Sequence, residues 1–292
     1  MKILFWLDPP NWIHGGVMVM HLFSKILSDL GEDVYATITN SVLPGNNTKI
    51  LSYDEAIRFA QNDDVVTIYP EVVPGNPFNA KNVARWVLYY PGGHGAGDKI
   101  YHESEMVFPF YKRYVEGTPY ENCPLLTIIQ TRVEQFYPKN LEREYDCIVI
   151  KKGRFFDLEK MDKQYVQPYK HLLDKPIIRL DDVLNNIQEV EQLNDLFNRV
   201  RYFISFDQAT HYSIMASLSG CTSIVIPIDG LDKEQWIDQM PTYKYGIAYG
   251  FDDIQWADQS RNELRGSMFE IENRNIIFAK QFVKIVNDRF GS

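Results

Sequence analysis

At 292 residues the chain is too long for one small core and is sized for two domains of about 100–200 residues each. With 45% apolar and 24% charged residues it has globular composition, which excludes a disordered chain. The net charge of −9 argues against a general nucleic-acid binder, because neutralising phosphates needs a basic footprint, and leaves room only for a local basic patch.

The first thirty-nine residues read as a β-α-β unit. Lys2 to Leu7 is a buried strand, followed by the loop DPPNWIHGG. Val17, Met20, Phe23, Ile26, Leu27 and Leu30 then recur at helical spacing up to Gly31, and Asp33 to Thr39 is the next strand. Short turns between these elements imply a parallel, right-handed crossover. Tyr53 to Gln61 reads as a helix, Val65 to Pro70 as a strand, Asn79 to Asn82 as a weak helical turn and Ala84 to Tyr90 as a strand. PGGHGAGD supplies four glycines in eight residues, and EMVFPFY and PLLTIIQ are two further candidate strands. The polar, proline-interrupted QFYPKNLERE then closes a first domain.

The alternation restarts with strands at Tyr145 to Gly153 and Lys175 to Leu180, and a helix at Gln188 to Val200. A strand at Arg201 to Asp207, a helix at Thr210 to Ser219 and a strand at Thr222 to Ile228 follow. An amphipathic helix at Asn273 to Asp288 closes the chain. The pattern predicts an α/β protein of two Rossmann-like domains facing across a cleft. Residues 1–140 form the acceptor-side domain, 141–272 the donor-side domain, and 273–292 a helix crossing back to the first.

Three cysteines, Cys123, Cys147 and Cys221, lie far apart with no C-x-x-C pair. They read as reduced, buried thiols in a cytoplasmic protein and not as a zinc site. The apolar run Ile3 to Leu7 is too short for a signal peptide and is broken by Pro9 and Pro10. No stretch approaches the ~18 apolar residues of a membrane span. Peripheral membrane contact stays open, without a basic amphipathic helix to argue for it.

Three segments together resemble a GT-B glycosyltransferase. The first is the N-terminal strand followed by His14-Gly15-Gly16 and a helix, where bare backbone and a helix N-terminus suit a phosphate. A tight strand-to-helix turn is the plainer account. The second is Tyr202 to Gly230, similar to the GT-B donor-site unit: a strand, the acidic turn at Asp207, a helix with Ala216 and Gly220, and a strand ending at Pro227. Retaining members of that family carry two glutamates eight residues apart. Asp207 falls on the first position and Met215 on the second, and methionine cannot accept hydrogen bonds from ribose hydroxyls as a carboxylate does. Thr210 and Ser213, three apart at a helix start, offer another grip, with simple capping by Thr210 as the alternative. The third segment is Lys151-Lys152-Gly153-Arg154 after a strand, where the resemblance places a cation against the departing diphosphate. A solvated basic turn is the bland reading. These departures look closest to bacterial and viral surface-polysaccharide glycosyltransferases.

The resemblance implies transfer of a sugar from a nucleotide-diphosphate sugar to a glycan or other hydroxyl acceptor, with no nucleic acid as partner. The acceptor needs a base at the carboxyl end of a first-domain strand. Asp98 is the first choice and His94 the second, with Asp8 and His14 meeting the same condition; capping of the next segment is the alternative role for Asp98. The glycine-rich loop lacks the closing Lys-Ser/Thr pair of a P-loop. His211 borders the donor segment and His21 reads as structural. No metal site and no cofactor are expected, since no Asp-x-Asp ends a strand and the pairs Asp181-Asp182 and Asp252-Asp253 diverge. Tyr245, Tyr249 or Phe251 could form a lip on the donor pocket or pack in the core, and Asp229-Gly230 could be a tight turn or present backbone to the sugar. Three rivals remain: a dinucleotide oxidoreductase, weakened by the missing third glycine after the first strand; an epimerase of the same shape; and a sugar-binding module without turnover.

Overall fold

The computed structural model describes residues 1–12, 14–93, 95–150, 157–187 and 189–291. The chain divides into two units, one comprising Met1–Gln130 with Glu272–Ser292 and the other Thr131–Ile271. Each is an α/β unit built on one parallel sheet.

In the first unit β1 (Lys2–Trp6), β2 (Val34–Thr37), β3 (Lys49–Ile50), β4 (Val65–Pro70), β5 (Asn82–Val87) and β6 (Met106–Pro109) lie in the order 3-2-1-4-5-6. Every pairing is parallel. Helix α1 (Gly15–Asp29) crosses from β1 to β2, and α2 (Tyr53–Ala60) precedes β4. Strand β4 is buried at all six positions, because both faces of the sheet are covered, and so it shows no polar alternation. One face packs Phe5, Phe23, Trp86 and Phe108 into a core; the other packs Leu4, Tyr69, Phe78 and Val83.

Two expectations fail here. Residues 79–82 form no helical turn. Asn79 has a positive φ of 49°, and the Asn76 side chain ties both the N–H and the carbonyl of Ala80. Residues 124–130 join no ladder, although Leu126 and Ile128 are buried as a strand's would be. That segment is held by Leu126 N–H on Pro109 O, by the Trp86 indole on Leu126 O, and by Asn275, which bonds both backbone groups of Ile129.

In the second unit β7 (Tyr145–Val149), β8 (Ile177–Arg179), β9 (Val200–Ser205), β10 (Thr222–Val225) and β11 (Ile247–Tyr249) lie in the order 11-10-9-7-8, again all parallel. Its helices are α3 (Leu158–Met161), continued as irregular turns to Leu172, then α4 (Leu180–Val183), α5 (Val190–Arg199), α6 (His211–Leu218) and α7 (Lys233–Gln239). An ion pair with a buried carboxylate and a half-buried arginine stands near the start of its central strands. The Arg201 guanidinium grips both oxygens of Asp146, at 3.1 and 2.7 Å, and Asp146 is fully buried.

The closing helix α8 (Ile254–Phe290) is far longer than its periodicity announces. Its early buried stripe is Ala257, Ser260, Leu264 and Met268, at helical spacing but disguised by a serine. The Ser260 hydroxyl bonds Trp256 O and accepts Gly246 N–H. From Glu272 the helix belongs to the first unit, where Ala279, Phe282 and Val286 enter the core and Phe282 meets Phe23 and Phe108 edge-on or tilted at 5.2 and 5.0 Å. Among the described residues no helix is long and apolar enough to cross a membrane.

Candidate functional site

In the first unit the strand order reverses between β1 and β4, and parallel sheets bind ligands beyond the carboxyl ends of strands at such a point. The segment after β1 carries the exposed Asp8, whose carbonyl accepts a hydrogen bond from His21 Nε2 at 2.9 Å. His21 is fully buried, and burial holds its pKa below the ordinary value, so the neutral ring braces this loop from inside. Gly15 and Gly16 open α1 and are exposed. A Cβ at Gly15 would meet nothing within 4 Å, and one at Gly16 only Leu88 Cδ1 at 3.5 Å. No side chain caps this helix, and its first turn holds no acidic residue. Its leading amides therefore keep their partial positive charge for an anion from outside.

Beyond β5, two successive turns, Gly93 N–H on Tyr90 O and Gly95 N–H on Gly92 O, coil the glycine-rich loop. Gly97 lies with φ of +77° against the loop after β4, where a Cβ would stand 1.8 Å from Glu71 O, so only glycine fits. Next to it the half-buried Asp98 accepts the Gly75 N–H on Oδ2 at 2.6 Å. Asp98 thus ties two loops together instead of capping its own segment. Its Oδ1 has no partner among the described residues, which leaves one carboxylate oxygen for a substrate hydroxyl. Arg113 lies over the rings of Tyr90 and Tyr114, at 6.0 and 5.3 Å, and pairs with no carboxylate among the described residues.

In the second unit the order reverses between β7 and β9. Beyond β9 the Ser205 hydroxyl donates to Asp207 O and accepts Asp207 N–H, and Asp207 Oδ1 accepts Ala209 N–H at 3.1 Å. The turn delivers Thr210 as the residue before α6, yet its side chain makes no capping bond. Instead its carbonyl accepts from the Tyr243 hydroxyl at 2.9 Å. Ser213, in the first turn, is fully buried and its hydroxyl has no partner among the described residues. Thr210 and Ser213 are thus brought together with polar capacity unspent, beside a carboxylate of which only one oxygen is used locally. Met215 is buried and offers no oxygen.

His94 and the basic turn Lys151, Lys152 and Arg154 lie outside the described residues. His14 is exposed before α1, and His211 opens α6 half-buried. Of the proposed lip, Phe251 is core and stacks on Tyr169 at 4.9 Å, the half-buried Tyr249 stacks on Trp236 at 4.9 Å, and the half-buried Tyr245 lies tilted 6.4 Å from the exposed Trp256. Asp229 is held by Lys160 and by the Tyr165 hydroxyl, whose hydrogen bonds to it lower its pKa, so it serves a surface brace. Burial pushes the Cys221 thiol up to about 12, which removes it as a nucleophile. Among the described residues no three His, Cys, Asp or Glu side chains gather as metal ligands. Arg132 escaped the sequence reading. It is buried with a positive φ of 54°, its charged form is disfavoured by burial, and it lies near enough to Tyr212 of α6 for their charges to interact. The one signal was an arginine beside an apolar run.

No family model matches the chain, and no curated protein matches it in sequence. Solved structures do match in shape. A crystal structure of T4 phage BGT in complex with its UDP-glucose substrate is 12% identical, covers 100% of both chains and gives a TM-score of 0.52. An alpha-glucosyltransferase in complex with UDP and a 13-mer DNA containing an HMU base is 10% identical, again covers 100% of both chains, and gives 0.52. The fold is theirs. The expected GT-B architecture therefore holds, as two parallel α/β units with a long C-terminal helix. The specific likeness to surface-polysaccharide enzymes finds no support. The exclusion of nucleic acid is overturned, since a protein of this fold is solved with DNA. The physical reason is that net charge is a sum over the whole chain. A cation such as Arg113, set on tyrosine rings and paired with no carboxylate among the described residues, is invisible in a total of −9.

Proposed function

We propose that this protein is a glycosyltransferase that moves a hexose from a uridine-diphosphate sugar to a hydroxyl carried on a modified DNA base. The observation that carries the reading is the fold shared along the whole chain with glucosyltransferases solved with UDP-glucose and with UDP and DNA. The local chemistry agrees with it. Asp98 acts as the base through Oδ1. The acceptor oxygen bonds to C1 of the sugar as its proton passes to the carboxylate. The bond from C1 to the diphosphate breaks with its electron pair on the phosphate oxygen, leaving glycosylated acceptor, nucleoside diphosphate and a proton. The uncapped start of α1 at Gly15 and Gly16, the start of α6 with Thr210 and Ser213, and the cations Lys151, Lys152 and Arg154 meet the growing negative charge without a resident cofactor. Asp207 orients the sugar through Oδ2. Tyr90 with Arg113 supports a nucleic-acid acceptor, because an aromatic face stacks on a base and a guanidinium reaches a phosphate. Cytoplasmic work on DNA follows from the same reading.

The test is transfer of labelled glucose from UDP-glucose to an HMU-containing DNA duplex. Label should enter that duplex and not an unmodified one, and Asp98→Asn should lower kcat by about 10²–10⁴. Direct displacement inverts C1, which NMR of the product reads. Label passing to a glycan or to water and never to DNA, or stabilisation by NAD and not by UDP, would overturn the proposal.

A further inference from the structure

A charged side chain sits where the apolar strand β5 should have none. Arg85 is fully buried, as is nearly all of its partner Glu105, whose Oε2 accepts from Nε at 2.9 Å. The rest of the guanidinium is spent on backbone of the loop after β4. Nη1 donates to Val73 O at 2.6 Å, with Pro70 O further off at 3.4 Å, and Nη2 donates to Gly75 O at 2.6 Å. Tyr69 and Tyr101 each place a ring 5.1 Å from the guanidinium carbon. A buried arginine so fully engaged is fixed in place, and it fixes whatever it holds.

What it holds is the residue whose N–H touches Asp98. Gly75 gives its carbonyl to Arg85 and its N–H to Asp98 Oδ2, so one residue in the left-handed region, with φ of +58°, links the buried cation to the carboxylate. We infer that Arg85 is a positioning residue for Asp98, acting through the two backbone groups of Gly75. The inference rests on the reading of Asp98 as the base. The Gly75 N–H holds Oδ2 and so turns Oδ1 toward the acceptor. Sequence alone gave one hint, an arginine between alanine and tryptophan in a strand otherwise apolar.

The experiment is Arg85→Lys in the full chain, assayed with UDP-glucose and an HMU-containing duplex. A lysine ammonium cannot reach Glu105, Val73 and Gly75 together. We expect kcat to fall about a hundredfold, as for a base displaced by an ångström. The KM for UDP-glucose should hold, because the loss is in the placing of the base and not in the binding of the donor. A lower melting temperature with unchanged kcat per folded molecule would mean that Arg85 only holds the fold, and would overturn the inference. If Arg85→Lys does not fold, Glu105→Gln loosens the same guanidinium while keeping an acceptor for Nε. It should lower kcat by less at an unchanged KM, and an unchanged kcat overturns the inference. Asp98→Asn separates the two ideas. Wild-type kcat in Asp98→Asn removes the base and the inference with it. An inactive Asp98→Asn beside an Arg85→Lys of normal kcat removes the positioning role alone.

Discussion

The two strand-end clusters handle their polar groups in opposite ways. In the first unit, the loops around Asp98 are closed on themselves: Gly97 against Glu71 O, Gly75 N–H on Asp98, and Val73 O and Gly75 O on Arg85. Nearly everything polar is used, and one carboxylate oxygen is left. In the second unit, the turn at Asp207 and the start of α6 keep a buried hydroxyl without a partner among the described residues and a residue before the helix that does not cap it. The first arrangement suits a single group that must point one way. The second suits a ligand that brings its own acceptors, since a buried unpaired hydroxyl is costly until something bonds it.

The largest expected effect is a control on that contrast, away from both clusters. Arg201→Met leaves the fully buried Asp146 without its bidentate partner and should destabilise the protein by about 3 kcal/mol in urea unfolding. The molecules that stay folded should keep their affinity for UDP. Gly97→Ala comes next. It forces a side chain into Glu71 O and holds alanine in the left-handed region, at a cost of about 2 kcal/mol. Here activity should fall further than the fraction folded, because the loop bearing Asp98 must move. Equal losses of activity and folded fraction would mean that the loop is merely structural.

Much of this fold is legible in the sequence, because buried parallel strands and amphipathic helices announce themselves by period. Helix α1 and strands β1 and β4 fall where Phe23, Leu27 and the run from Val65 imply. The start of α8 is hidden because Ser260 occupies a core position and satisfies its hydroxyl within the helix. Segment 124–130 misleads because burial, not a ladder, selects its leucine and isoleucines. The candidate site is legible only as residue types. That Asp98 spends one oxygen on a loop 23 residues earlier, or that Arg85 stands behind that loop, depends on contacts between loops that no local pattern carries. The notion that a charge of −9 excludes DNA failed for a related reason, since a sum has no position.

A subtler contrast lies in the sign of two changes. Ser213→Ala removes a buried hydroxyl that bonds nothing among the described residues, so the free protein should gain up to about 1 kcal/mol in stability. If α6 receives the nucleotide, the same change should weaken UDP binding several-fold in calorimetry, so that stability and affinity move in opposite directions. A gain in stability with unaltered affinity would make Ser213 a packing defect and not part of a site.

The smallest effect tests the other helix start. Gly15→Ala meets no atom within 4 Å, and Gly15 is not among the positive-φ residues, so alanine should fit and add about 0.4–1 kcal/mol by restricting the unfolded chain. A methyl group there costs the fold nothing, but it stands in the open space that a phosphate must cross to reach the leading amides of α1. UDP-glucose binding should therefore weaken while the melting temperature rises slightly. The glycine is then explained by what approaches the backbone and not by how the backbone bends. Should affinity hold while stability rises, the diglycine is only a turn, and the case for an anion at α1 falls without touching the case for Asp98.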